Sequence, residues 1–162
     1  MLVKSENKEH LCLSLVGEIL SEPGIGLVVV GPACCLRLQY FRARQDGCLK
    51  NFFMFQLDSL DIALHSHIPR LKKMLGSIVM GSPEIKGLIL YLSCGDVLSG
   101  TDYRRLCREV ELGSGVLVRA VTRGPLGKRK SSTRDRVKQA LEEIRRFPKR
   151  SKEGGVQGEG IE

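Results

Sequence analysis

Apolar residues occur along this chain in two patterns. Two stretches are continuous, Gly26-Leu27-Val28-Val29-Val30 and Gly87-Leu88-Ile89-Leu90-Tyr91-Leu92-Ser93. Uninterrupted aliphatic runs of this length predict strands buried on both faces of a parallel sheet. Asn51-Phe52-Phe53-Met54-Phe55 and Val116-Leu117-Val118-Arg119-Ala120-Val121 are two further strand candidates. Elsewhere the apolar residues return with helical spacing. Short helices are predicted over 11–20 and over 36–44, the second on Leu36, Tyr40 and Phe41. A longer one lies within 60–80, on Ile68, Leu71, Leu75, Ile78 and Val79, stopped by Ser82-Pro83. Another runs from Asp102 to Glu111 on Tyr103, Leu106, Cys107 and Val110. The last is capped by Ser131-Ser132-Thr133 and carries Val137, Leu141 and Ile144 towards Arg146.

Strands alternating with helices predict an α/β fold, a single Rossmann-like domain with a parallel sheet flanked by helices. With 162 residues the chain suits one domain with its own core. We place the domain at 11–147, an N-terminal extension at 1–10, and a basic, Gly-rich tail at 148–162 that resists ordering. No apolar run is long enough to span a bilayer. The first ten residues carry no apolar signal core, so a cytoplasmic, reducing location is expected.

The net charge of +8 is uneven. Residues 123–152 carry +9 and the remainder −1. This is a solvated helix face with a polar tail or, as the alternative, a footprint for nucleic acid; no base-reading motif accompanies it, and nucleic acid is not the expected partner. Gly124-Pro125-Leu126-Gly127-Lys128-Arg129-Lys130-Ser131 has the wrong spacing for a phosphate loop. His65-Ser66-His67 reads as a pair of capping or surface histidines, and no carboxylate pair or Ser/His/Asp arrangement points to acid–base or nucleophilic catalysis.

The six cysteines are the informative chemistry. Cys34-Cys35 follow the first buried strand by a Gly31-Pro32-Ala33 turn, and Cys94 follows the third strand directly. The carboxyl ends of the strands of an open α/β sheet form its ligand crevice. Thiols placed there from separate segments suggest a soft-metal site, foremost an iron-sulfur cluster. Cys-x-x-Cys is absent, so a self-contained ferredoxin or zinc-ribbon site is not expected. Cys48 reads as an incidental loop thiol and Cys107 as a core residue.

Two segments resemble nitrogenase component 1 proteins. Gly31-Pro32-Ala33-Cys34-Cys35, followed by Tyr40-Phe41-Arg42, is similar to the Gly-Pro-x-Gly-Cys turn of that family. Ser93-Cys94-Gly95-Asp96-Val97-Leu98-Ser99-Gly100-Thr101-Asp102 is similar to its third cysteine segment, and Cys12 with Gly17 fits its first. The separations, 23 residues from Cys12 to Cys35 and 59 from Cys35 to Cys94, are close to the family's. The resemblance covers roughly residues 10–145. It implies that Cys12, Cys35 and Cys94 ligate an iron-sulfur cluster, 4Fe–4S or larger, shared between subunits. It implies that Gly31 and Pro32 form the turn beside it and that Gly100 and Asp102 shape the loop after Cys94. The implied partners are a second component 1-like subunit and an ATP-dependent iron-sulfur reductase. The chain departs from the pattern at Val30, where the family often has His, at Cys34, where it has Gly, and at Thr101, where it has Asp. Cys34 could replace Cys35 as ligand, add a ligand or fill space. Family members are also longer, with three Rossmann-like domains, of which this chain matches the first. The reading is therefore an electron-transfer subunit of a nitrogenase-like oxidoreductase, not an enzyme by itself. The alternatives are a non-catalytic cluster scaffold or regulatory module, or a degenerate fragment contacting nucleic acid.

Overall fold

A computed structural model of the chain describes residues 13–95, 100–124 and 131–147. The elements in chain order are α1 (Leu15–Leu20), β1 (Ile25–Gly31), α2 (Ala33–Gln45), β2 (Phe52–Gln56), α3 (Ser59–Leu64), α4 (His67–Gly81), β3 (Gly87–Leu92), α5 (Tyr103–Ser114), β4 (Leu117–Thr122) and α6 (Thr133–Arg146). The four strands form one sheet in the order β2-β1-β3-β4, with every pair parallel. The expected Rossmann-like α/β architecture is present, and the expected bounds of the sheet strands agree to within one residue.

Continuous apolarity in β1 and β3 has a direct cause. Both are central, and every residue of each is buried. Because side chains alternate across a strand, Leu27, Val29, Ile89 and Tyr91 join Leu36, Ala43, Val137, Leu141 and Ile144 on one face. Val28, Val30, Leu88, Leu90 and Leu92 join Leu71, Leu75, Leu106 and Val110 on the other. Helices α2 and α6 therefore cover one face, and α4 and α5 the other. α1 packs against both α2 and α6. Its Gly17 lies so close to Asp46 that a Cβ there would stand 2.3 Å from the carboxylate.

Two helix readings are corrected and one is extended. The helix expected within 60–80 is α4, and the segment holds a second, short helix, α3, which ends where His65 takes a left-handed conformation (φ 52°). α2 begins at Ala33 and not Leu36, with Pro32 at its N-cap; proline's fixed φ suits the start of a helix. Its buried stripe is Leu36, Gln39 and Ala43, while Phe41 faces solvent. α1 starts at Leu15, capped by the Ser14 hydroxyl, which accepts from the Gly17 amide. No helix of the described residues is long and apolar enough to cross a membrane.

Candidate metal centre at the carboxyl edge of the sheet

β1 leads through α2 to β2 on one side, whereas the chain crosses to β3 on the other side, so the strand order reverses between β1 and β3. At such a switch point the helices diverge and a crevice opens at the carboxyl edge. Cys34 and Cys35 occupy the first turn of α2, and Cys94 begins the segment after β3. All three therefore sit at this crevice. Cys94, like Cys34 and Cys35 in α2, lies in a helical segment, which follows β3.

Gly31 sets the spacing. A Cβ on it would fall 2.8 Å from Ser93 Cβ and 3.6 Å from Cys35 Cβ. The two strand ends close on this glycine, bringing the Cys35 and Cys94 segments together. On the far side, Gly124 lies against Cys94, where an added Cβ would be 3.0 Å from its Cβ. Cys34 is exposed, and Cys35 and Cys94 are half-buried. Burial pushes the Cys35 thiol up from its ordinary value; the Arg123 charge opposes this, and the Cys34 and Cys94 thiols add to the rise. A raised value opposes the activation a nucleophilic cysteine requires, and a metal would have to displace the same proton to bind.

The other expected residues divide. Pro32 starts α2 and Gly100 adopts φ 65°. Asp102 caps α5, its carboxylate accepting from the amides of Arg104 and Arg105 at 3.1 Å each. Asp102 thus has a local structural role at the return of the Cys94 segment. Cys12 and Asp96 lie outside the described residues. Ser14, two residues after Cys12, is bonded to Asp46, the C-cap of α2. Eleven residues of helix separate Cys35 from Asp46, a rise of about 16 Å. Cys48 lies at the amino edge, its thiol donating to the Asp46 carbonyl at 3.2 Å, so it takes no part in the crevice.

Among the described residues no group of three or more His, Cys, Asp or Glu is placed to hold a metal ion. Cys34, Cys35 and Cys94 are described residues and do not form such a group.

Cys107 is buried in α5, its thiol raised to about 12 by burial, with Glu111 adding to the rise. A thiol reagent should therefore label Cys34 in the native protein at neutral pH and reach Cys107 only on unfolding, as peptide mapping of the labelled chain will show. Native labelling at Cys107 would contradict this placement. His67, read from the sequence as a capping or surface histidine, is fully buried. Its Nδ1 faces the Asp61 carbonyl at 3.1 Å and its Nε2 faces the Tyr103 hydroxyl at 3.3 Å. The carbonyl can only accept, which puts the proton on Nδ1. His67 therefore ties α3 to α5, while His65 stays exposed.

The sequence reading missed the arginines around Tyr91. Arg123, the first residue beyond β4, lays its guanidinium over the Tyr91 ring at 5.7 Å. Much of the remaining basic character is paired: Arg134 with Glu18, Arg145 with Glu22, and Arg119 with both Glu111 and Glu143.

No protein-family profile matches the chain, and no curated protein matches it. Among solved structures the fold is similar to that of Nitrogenase Cp1 at pH 6.5, with a TM-score of 0.51 and 15% sequence identity, over 61% of this chain and 20% of that one. The matched part is about a fifth of the nitrogenase chain's length. What this chain has in common with that nitrogenase chain is its fold: a parallel α/β sheet flanked by helices.

Proposed function

We propose that the chain carries an iron-sulfur cluster in the crevice between β1 and β3 and serves as an electron-transfer subunit of a nitrogenase-like oxidoreductase. The observation that carries this reading is the meeting of Cys35 and Cys94, from two separate strand ends, at the switch point of a sheet whose fold resembles a nitrogenase chain. Cys35 and Cys94 are the ligands from this chain. Cys34 is exposed beside Cys35 and is not grouped with the other two thiols. A second, component 1-like subunit is the source of the other ligands.

A bound cluster supplies one-electron transfer. The chain's part is to hold and shield it. Gly31 and Pro32 keep the β1 turn tight enough for Cys35 to face the Cys94 segment, and Gly100 with Asp102 fixes the return of that segment into α5. The electron donor is an ATP-dependent iron-sulfur reductase, and the substrate lies on another domain or subunit.

The test of ligand identity is anaerobic reconstitution with ferrous iron and sulfide, followed by visible absorption. Wild type, Cys48→Ala and Cys107→Ala should develop equal cluster absorption. Cys35→Ala and Cys94→Ala should each lose most of it. Equal absorption in all four variants would defeat the assignment.

A further inference from the structure

α2 and α6 lie on the same face of the sheet, and α1 packs against both, towards the end of α2 that bears Asp46. On this face, near the carboxyl edge, Tyr91 of β3 is buried, and three arginines surround it. Arg123 stacks on the ring. Arg136, from α6, is fixed by the carbonyls of Thr122 at 2.6 Å and Ser131 at 2.8 Å. Arg42, from α2, reaches the Gln39 side-chain oxygen at 3.5 Å. None of the three is paired with a carboxylate among the described residues.

The buried donors make the same point. Among the described residues, three buried side-chain nitrogens have no hydrogen-bond acceptor: Gln39 Nε2, Arg123 Nε and Arg136 Nε. All three belong to this group, and Gln39 is completely buried. Buried donors are nearly always satisfied, and leaving one unmade is costly. Three together, beside guanidiniums oriented by carbonyls and an aromatic ring, call for a ligand rich in acceptors and negative charge. The Tyr91 phenol, raised by burial, feels the opposing pull of Arg123, Arg42 and Arg136, so all three charges act at this one point.

We infer that the cluster of Arg42, Arg123 and Arg136 around Tyr91 binds an oxyanion of the phosphate class, as inorganic phosphate or on a small phosphorylated molecule. Guanidinium forks match such oxygens in geometry as well as charge. The inference does not depend on the cluster, since its residues are not the thiols.

Calorimetric titration of the iron-free, full-length chain with inorganic pyrophosphate, at constant ionic strength against chloride, tests it. Saturable one-to-one binding is expected, weakened about tenfold or more by Arg123→Gln and by Gln39→Met, as loss of a charged or buried hydrogen bond implies. Gln39→Met removes an unpartnered donor, so that variant should unfold no more easily than wild type, and it remains informative if Arg123→Gln fails to fold. Cys35→Ala/Cys94→Ala should bind as wild type does, which separates this site from the metal centre. A nucleoside diphosphate binding tighter than pyrophosphate would assign the ligand to the phosphorylated class, and equal binding to the phosphate group alone. No binding beyond that of chloride, or equal affinity in wild type and Gln39→Met, would overturn the inference.

Discussion

Asp61→Ala should lower the unfolding free energy by about 2–3 kcal/mol, the loss of a helix cap together with several buried hydrogen bonds. Asp61 is 4% exposed and organises the turn from β2 into α4. Its amide donates to Asp58 Oδ1 at 2.7 Å while its own carboxylate accepts from the Asp58 amide at 3.3 Å, a reciprocal cap for α3. The same carboxylate accepts from the Ser66 hydroxyl at 2.9 Å and from Arg70, whose guanidinium lies over the Phe55 ring. Arg70 is largely exposed, so the ion pair is screened and contributes less than the hydrogen bonds. Burial would raise the Asp61 carboxyl, but the bonds from Asp58, Ser66 and Arg70 outweigh it and hold the group below its ordinary value. A depressed folded-state value adds stability above the unfolded value of about 4, and that stability is lost as pH falls through the folded value. Urea denaturation should therefore show wild type losing stability on acidification below about pH 4 more steeply than Asp61→Ala. Equal steepness would mean that this network does not hold the turn.

Gly87→Val is expected to cost about 3 kcal/mol through overpacking. Gly87 opens β3 directly beneath α6, and a Cβ there would lie 2.3 Å from Ile144 Cγ2 and 2.9 Å from its Cδ1. Ile144 is buried in the core shared by α1, α2 and α6, so it has little room to turn away. α6 must lift from the sheet, carrying Arg136 with it. A double-mutant cycle isolates the cause. Gly87→Ala and Ile144→Ala should each destabilise, and the pair should destabilise by about 1 kcal/mol less than the sum, because the smaller residue at 144 makes space for the new methyl. Additive costs would place the strain elsewhere.

The sheet was legible because burial on both faces leaves β1 and β3 with no polar position, a signal that depends only on neighbouring residues. Helices α5 and α6 were legible for the same reason, since Tyr103, Leu106, Cys107 and Val110, and likewise Val137, Leu141 and Ile144, mark one face each. The break at His65 was not, because a left-handed non-glycine residue carries no composition signal; the Asp58 and Asp61 reciprocal cap was the available clue to a separate α3. Pro32 announced the start of α2, but the apolar spacing of Leu36, Tyr40 and Phe41 drew the start later and hid Gln39 as a buried residue.

The candidate site divides the same way. Cys35 and Cys94 could be placed at strand ends from sequence. That their strands are neighbours, at the reversal of strand order, follows from β2-β1-β3-β4 pairing, which local pattern does not determine. The convergence of Arg42, Arg123 and Arg136 on Tyr91 depends on that pairing too, and joins four elements that are distant in the chain.

The most direct test of the central claim is iron and acid-labile sulfide per chain after strictly anaerobic purification, with Cys35→Ala/Cys94→Ala measured beside wild type. The account predicts about two to four irons with matching sulfide in wild type, as cysteine-ligated clusters hold, and almost none in the equally folded variant. Iron-free wild type, or a variant that retains its iron, would contradict it.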